Sequence, residues 1–261
     1  MLCISVAPVS RKLAKADLLN AANRCDLIEL CLDHLLKEPD VGDMLQGIPK
    51  PILVACRRPQ DGGKFVGTEE ERMTLLRQAI VAGPQYVELD LETAPRVPRF
   101  GKTKRVVSVL SLDGPPDDAD AVYDEAVKAN ADVIKFAWPA PTFESAWPLL
   151  KIIAQKRQIP LVGLAVGRAA LTLALVGRAL DVPWSYAALE KGFESVPGLP
   201  TVWDLKDIYS WDEIGPKTRF VGIVGPVDRQ MAVMSRVLNA AFRKIEDRHR
   251  CLPLPIQSAT M

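Results

Sequence analysis

A chain of 261 residues, 48% of them hydrophobic and 25% charged, has enough apolar side chain to bury one sizeable core, and barrels of this length are commonly a single domain. Thirty-three Lys and Arg against 32 Asp and Glu leave a net charge of +1, which excludes a globally basic nucleic-acid binder or a chain steered to an anionic membrane. The apolar start Met1-Leu-Cys-Ile-Ser-Val-Ala-Pro8 is too short for a signal-peptide core, and the apolar stretch 161–176 is broken by Gly163, Gly167 and Arg168, so neither a leader nor a membrane span is expected.

From the N-terminus onward, short β-branched or aliphatic runs alternate with longer amphipathic stretches, the sign of βα units and a parallel sheet. Strands are expected at 2–6, 27–32, 52–56, 86–91, 105–110, 133–136, 161–164 and 185–188. Helices fall between them, most legibly at 68–82, 119–129, 142–155 and 168–180. Thr68-Glu-Glu-Glu71 puts an N-cap threonine three residues before a glutamate, and Ala82-Gly83-Pro84 ends the same helix. Such an α/β chain fits a (β/α)8 TIM-type barrel over residues 1–215, although a doubly wound open sheet has the same alternation. No GxGxxG turn follows an early strand, so the barrel is the expectation. Beyond residue 215 come Phe220-Val-Gly-Ile-Val-Gly-Pro-Val227, a helix at about 229–248 and Cys251-Leu-Pro-Leu-Pro-Ile256. This β-α-β extension, 216–261, is expected to pack on the barrel or on a second subunit, and its removal from about residue 217 should leave the barrel folded.

Five cysteines, at 3, 25, 31, 56 and 251, have no metal-type spacing and read as buried reduced thiols of a cytoplasmic protein. Two histidines, His34 and His249, leave little imidazole for acid–base work. Barrel enzymes build their sites at the C-terminal ends of the strands. The polar residues there are Glu29, Asp33 and His34 on strand two and Arg57 and Arg58 after strand three. Strand four offers Glu88, Asp90 and Glu92, strand five Ser108 and strand six Lys135. Lys135 lies between Ile134 and Phe136, where burial disfavours the ammonium and frees the amine to attack a carbonyl; the alternative is a structural pair with Glu88 or Asp90. The segment Cys56-Arg-Arg-Pro-Gln-Asp-Gly-Gly-Lys64 suits forked binding of a carboxylate, or is an ordinary charged loop with a glycine turn.

Taken strand by strand over about residues 1–200, these segments resemble the type I 3-dehydroquinate dehydratases. Glu29-Leu-Cys-Leu-Asp33 resembles the family's Glu-x-Arg-x-Asp strand, with Cys31 in the arginine's place. Ala55-Cys-Arg-Arg-Pro-Gln-Asp-Gly-Gly63 is similar to its Thr-x-Arg-x-x-x-Glu-Gly-Gly segment, keeping the substrate-binding arginine as Arg57 and replacing the glutamate by Asp61. Tyr86-Val-Glu-Leu-Asp-Leu-Glu92 is similar to its acidic fourth strand. In Val107-Ser-Val-Leu-Ser-Leu-Asp-Gly-Pro-Pro116, Leu110 stands where the family has its catalytic histidine, whereas Ala131-Asp-Val-Ile-Lys135 keeps the imine-forming lysine. Gly167-Arg-Ala-Ala-Leu-Thr172 lacks the carboxylate-binding arginine of the family's Gly-x-x-Ser-Arg, and Ser195-Val-Pro-Gly-Leu199 resembles its Ser-Ala-Pro-Gly-Gln loop. The extension, Val221-Gly-Ile-Val-Gly-Pro-Val-Asp228 with Leu238-Asn-Ala-Ala-Phe242, is similar to the opening of shikimate dehydrogenases, with Asp228, Arg229 and Gln230 in place of its serines.

The resemblance implies a lyase of the shikimate pathway working through an imine on Lys135, with Glu29, Arg57, Asp61 and Ser195 binding substrate. It implies a small-molecule substrate, 3-dehydroquinate or a related carboxylate, a cytoplasmic homodimer, and neither a nucleic-acid nor a membrane partner. No metal is expected, because no His/Cys/Asp cluster has ligand spacing, and no organic cofactor, because the lysine itself supplies the covalent chemistry. Loss of the histidine impairs that chemistry unless another group replaces it; His34 is the imidazole candidate. The alternatives are a non-catalytic member that binds a metabolite or a pathway protein, and a lysine-dependent enzyme for a different carbonyl compound.

Overall fold

The computed structural model describes residues 1–37, 39–226 and 229–256. In chain order its first half comprises β1 (Leu2–Val6), α1 (Arg11–Ala22), β2 (Leu27–Cys31), α2 (Val41–Leu45), β3 (Ile52–Ala55), α3 (Glu69–Val81) and β4 (Tyr86–Asp90). Next come β5 (Lys104–Leu110), α4 (Ala119–Lys128), β6 (Val133–Pro139), α5 (Phe143–Ile153), β7 (Leu161–Val166), α6 (Ala170–Ala179) and β8 (Ser185–Ala187). The extension adds β9 (Arg219–Gly225), α7 (Arg229–Lys244) and β10 (His249–Pro255).

All pairings in the main sheet are parallel, and the order β7-β6-β5-β4-β3-β2-β1-β8 brings the first strand between the second and the eighth. The eight strands form a nearly closed barrel, as the sequence reading favoured over the open sheet. Strands buried on both faces need apolar residues on both, and the period-two alternation sorts them into two clusters. One contains Ile28, Leu30, Val54, Leu89, Val107, Ile134 and Phe136 and packs under the helices. The other, with Cys3, Leu27, Leu53, Val106, Val133, Val162, Trp184 and Tyr186, fills the interior. Ser5, Glu29, Glu88, Ser108 and Lys135 share the interior residues' parity, so polar groups reach the barrel axis.

Local chemistry sets the helix ends. The capping box read at Thr68 forms: its hydroxyl accepts from the Glu71 N–H at 3.3 Å, and the Glu71 carboxylate accepts from the Thr68 N–H at 2.7 Å. Thr142 and Ser145 repeat the device at α5. β6 runs to Pro139, three residues past expectation, because Ala137, Trp138 and Pro139 pair with Leu164, Ala165 and Val166 of a β7 that is itself two residues longer than expected. α6 begins at Ala170 rather than 168, since Gly167 takes a left-handed φ of +123° and donates its N–H to Pro197 O at 2.8 Å. The short α2 and the alanine-faced α1, which buries Ala14, Leu18, Ala21 and Ala22, carry too little apolar contrast to stand out in the sequence.

The extension is a two-stranded parallel sheet crossed by α7. β10 docks on the chain's own barrel: Thr172 Oγ1 donates to Pro253 O, Leu252 joins the outer core, and Arg250 donates to Tyr209 O at 3.0 Å. Asp228, one of the residues read in place of the dehydrogenase serines, lies outside the described residues. Because the barrel's sheet contains neither β9 nor β10, a chain ending at residue 216 should still melt in one cooperative transition. Its midpoint should fall by about 2–4 °C for each kcal/mol of lost β10 contact. Calorimetry of the shortened chain checks this, and a broad non-cooperative melt contradicts it.

Candidate active site

Five barrel strands and the residues after a sixth deliver one set of side chains to the axis: Ser5 from β1, Glu29 from β2, Glu88 from β4, Lys135 from β6, Tyr186 from β8, and Arg57 just past β3. Lys135 Nζ donates to Glu29 Oε1 and to Glu88 Oε2, each at 3.0 Å. Arg57 donates to Glu88 through Nε at 2.7 Å and through a terminal nitrogen at 2.6 Å, and the same nitrogen reaches Glu29 Oε1 at 2.6 Å. Ser5 Oγ donates to Glu29 Oε2 at 2.6 Å, and the Tyr186 hydroxyl to Glu29 Oε1 at 3.1 Å. The Lys135 ammonium also sits 4.5 Å from the centre of the Tyr186 ring, a cation–π contact.

Two cations and two anions sum to zero, and the lysine at their centre is 0% exposed. Burial pushes the Glu29 and Glu88 carboxyls up, but Arg57 and then Lys135 outweigh it and hold both below the usual carboxylate range. Burial works against the Arg57 guanidinium, and Glu29 and Glu88 reverse it, keeping the arginine charged. The Tyr186 phenol is driven well above its ordinary value by burial and then by the Glu29 charge, so it stays protonated. Burial and Glu29 likewise push the Cys31 thiol up; its sulfur lies 3.7 Å from both Glu29 Oε2 and the Arg57 guanidinium.

Arg57 forms the outer wall of this cluster, with its side chain 11% exposed. Beside it lies a cavity of about 10 Å³ lined by Arg57, Glu88, Ser108 and Leu110 among others, room for about one water. Two larger cavities, about 880 and 890 Å³, share His34 and Lys64 in their walls, and the second reaches Ser5 at the edge of the cluster.

Of the two structural partners weighed for Lys135, Glu88 is one and Asp90 is not: Asp90 accepts from Arg72 at 2.7 Å and from Thr93 at 2.7 Å. Glu29 takes the second place. Asp61 pairs with Arg58 at 2.6 Å, and Arg58 also reaches Glu92 at 2.7 Å. Asp33 accepts the Lys64 N–H at 2.9 Å and lies 3.6 Å from His34 Nε2. Burial, partly countered by Asp33, pushes His34 below the usual imidazole range. Among the described hydrogen bonds and ion pairs, none joins His34 to Lys135, Glu29, Glu88 or Arg57. Ser195 is half-buried in the loop after β8, Ser108 stands beside Lys135 in the β5–β6 ladder, and Leu110 ends β5 opposite Ala137. Tyr186 and Ser5 were missed from the sequence; the available signal was parity, since Tyr186 pairs with Cys3 and Ser5 with Glu29 across adjoining ladders.

The type I 3-dehydroquinase family profile matches residues 2–216, most of the chain. The chain belongs to the type I 3-dehydroquinase family. Its similarity reaches a bifunctional 3-dehydroquinate dehydratase/shikimate dehydrogenase of Arabidopsis thaliana, 29% identical over 233 residues, which span 85% of this chain and 38% of that protein. In structure, this type I 3-dehydroquinase barrel resembles the 3-dehydroquinate dehydratase of Geobacillus kaustophilus, with a TM-score of 0.68 at 21% identity, covering 79% of this chain and 88% of that one. The dehydroquinate dehydratase and shikimate dehydrogenase of S. pombe gives 0.63 at 19% identity, covering 99% of this chain and 53% of that one. At these identities the two structures speak to fold alone.

The folded-state carboxyls of Glu29 and Glu88 are depressed, so their contribution to stability is fully present above the unfolded glutamate value of ~4.3 and is lost as pH falls below it. The urea midpoint should hold from neutrality to about pH 5 and then drop. Glu29→Gln leaves Lys135 and Arg57 sharing one carboxylate, which should cost about 3–5 kcal/mol at pH 7 and give a shallower acid loss. Equal acid slopes in both proteins would show that Glu29 is not ionised in the native state.

Proposed function

We propose that the chain is a 3-dehydroquinate dehydratase-like lyase of the shikimate pathway, working through an imine on Lys135 and slowed by leucine at position 110. Family membership and the names of its relatives support a hydro-lyase acting on a ring ketone that carries a carboxylate. The observation that carries the finer reading is the lysine itself. Lys135 Nζ is held at 3.0 Å between two carboxylates, beside the arginine that the family uses for substrate.

The steps follow from those contacts. Arg57 exchanges Glu29 and Glu88 for the substrate carboxylate, one anionic partner for another, and so uncovers the lysine. Lys135 yields a proton to Glu29 and attacks the ketone carbon; the carbinolamine loses water to give the iminium. The iminium draws electrons from the adjacent carbon, a proton leaves there, and the hydroxyl one carbon further on departs as water. A second water hydrolyses the imine and frees the enone. Asp61 and Ser195 bind substrate. The protein acts in the cytoplasm as a homodimer.

Three features make this slow. A positioned acid–base group is worth ~10²–10⁴-fold in rate, and leucine supplies none. The arginine missing from Gly167-Arg-Ala-Ala-Leu-Thr172 weakens carboxylate binding by about 2–5 kcal/mol where the charge is buried. Carboxylates held below their usual range are poor proton acceptors, which slows a step that places a proton on Glu29. A second reading, a member that binds a metabolite without turnover, draws support from the full burial of Lys135 and the 10 Å³ cavity beside the cluster.

Borohydride trapping with 3-dehydroquinate, read by intact mass, tests the proposal together with an absorbance assay for the enone. The wild-type chain should gain the mass of the reduced adduct. Lys135→Ala and the charge-keeping Lys135→Arg should gain none, and turnover should be measurable only in the wild type. A wild-type chain that gains no mass and makes no enone returns the site to binding alone.

A further inference from the structure

The imine chemistry proposed above needs a group within reach of Lys135 Nζ that can hand a proton to the reacting oxygen, and Tyr186 is the cluster residue whose ring packs against that nitrogen. Arg57 stays charged, Glu29 and Glu88 rest as carboxylates with no proton of their own to hand to the reacting oxygen, and the Ser5 hydroxyl donates to Glu29 Oε2 rather than to the oxygen that Lys135 shares. Leu110, at the end of β5, has no exchangeable proton, and His34 is engaged with Asp33 in the turn after β2. The remaining side chain against Nζ is Tyr186, whose ring centre lies 4.5 Å from it. Its hydroxyl and the ammonium donate to the same oxygen, Glu29 Oε1, at 3.1 and 3.0 Å. Buried in the barrel interior, the phenol has Glu29 as the partner its hydroxyl meets there.

We propose that Tyr186 is the acid–base residue of the imine steps, passing protons between the reacting oxygen and Lys135 by way of Glu29. This rests on the imine reading of Lys135. The balance closes without any further reactant. The ammonium gives one proton to Glu29, and the amine attacks, so the C–N bond forms as the carbonyl π pair moves to oxygen. The Tyr186 hydroxyl protonates that oxygen, and Glu29 returns the first proton to the phenolate across their hydrogen bond. Tyr186 then carries a second proton from the carbinolamine nitrogen to the hydroxyl; the C–O bond breaks, the nitrogen lone pair closes the C=N bond, and water leaves. Both protons of that water come from the lysine nitrogen, which keeps the third as the iminium N–H. Hydrolysis runs the same path backward.

Tyr186→Phe removes the hydroxyl and leaves the ring under the ammonium, so the variant tests proton transfer with packing preserved. Two readouts are compared with wild type across pH 6 to 9: the time course of borohydride trapping with 3-dehydroquinate, and exchange of the ketone oxygen with ¹⁸O-water in the absence of reductant. Both rates should fall by the same factor, about 10²–10⁴. With borohydride replenished until no further mass is gained, the final extent of trapping should be unchanged, because irreversible reduction collects every imine that forms, however slowly. Equal rates in variant and wild type overturn the inference. So does a loss of trapping extent in step with rate, which marks Tyr186 as a support for Lys135 and Glu29 only. If wild type itself neither traps nor exchanges, the imine reading falls and takes this inference with it, an outcome the variant alone cannot produce.

Discussion

Four charges cancel in the buried barrel interior, and the cancellation holds only while all four are present. Glu29, Glu88, Arg57 and Lys135 come from β2, β4, the end of β3 and β6, so the ion cluster ties together strands between 28 and 106 residues apart in sequence. An unpaired charge at such a depth costs several kcal/mol, whereas a complete set with its remaining lone pairs satisfied is tolerated. Ser5 and Tyr186 meet that second condition by donating to Glu29 from the strands that close the barrel. The polar centre thus specifies register. A one-residue slip of β2, β4 or β6 turns its charge from the axis into the apolar layer under the helices.

Beneath the helices a second buried cation performs the same office. Arg72, in the first turns of α3, is 2% exposed and donates to Cys56 O, Glu69, Asp90 and Thr93. It joins the ends of β3 and β4 to the helix that connects them, and it takes Asp90 away from the axis. That leaves Glu88 as the one strand-four carboxylate on Lys135, so the composition of the site is decided partly outside it.

Much of this was legible in residue order. Alternating parity sends Glu29, Glu88 and Lys135 inward, and the caps at Thr68 and Ala82-Gly83 fix α3 to within a residue. What sequence could not supply was direction once the chain leaves a strand. Arg57 reads either as a fork for a carboxylate or as part of an ordinary charged loop, and it turns inward because two carboxylates of the chain itself wait there. Arg72 reads as an ordinary helical charge beside three glutamates. Tyr186 reads as a β-forming aromatic in Ser-Tyr-Ala, and its hydroxyl acquires meaning only when β8 pairs with β1 and closes on Glu29. Closure of the barrel, which local pattern does not encode, is what converts these residues into one site.

The departures from the family's motifs then have a common electrostatic sense. As the resemblance aligns them, the family carries an arginine where Cys31 stands and another in the segment occupied by Gly167-Arg-Ala-Ala-Leu-Thr172. Added to two lysine and arginine cations and two glutamates, those arginines would make the site doubly positive and complete it with an anionic substrate. Without them the cluster is already neutral, and Cys31, a protonated thiol within 3.7 Å of Arg57 and Glu29, fills the first arginine's place with no charge at all. A neutral, fully paired cluster gains little by admitting a carboxylate, because Arg57 merely trades one anion for another and leaves Glu88 with fewer donors. As the resemblance aligns the chains, the neutral pairing around Lys135 goes together with the lack of an arginine at Cys31 and in the segment Gly167-Arg-Ala-Ala-Leu-Thr172: Glu29 and Glu88 balance Lys135 and Arg57 with no positive charge left over.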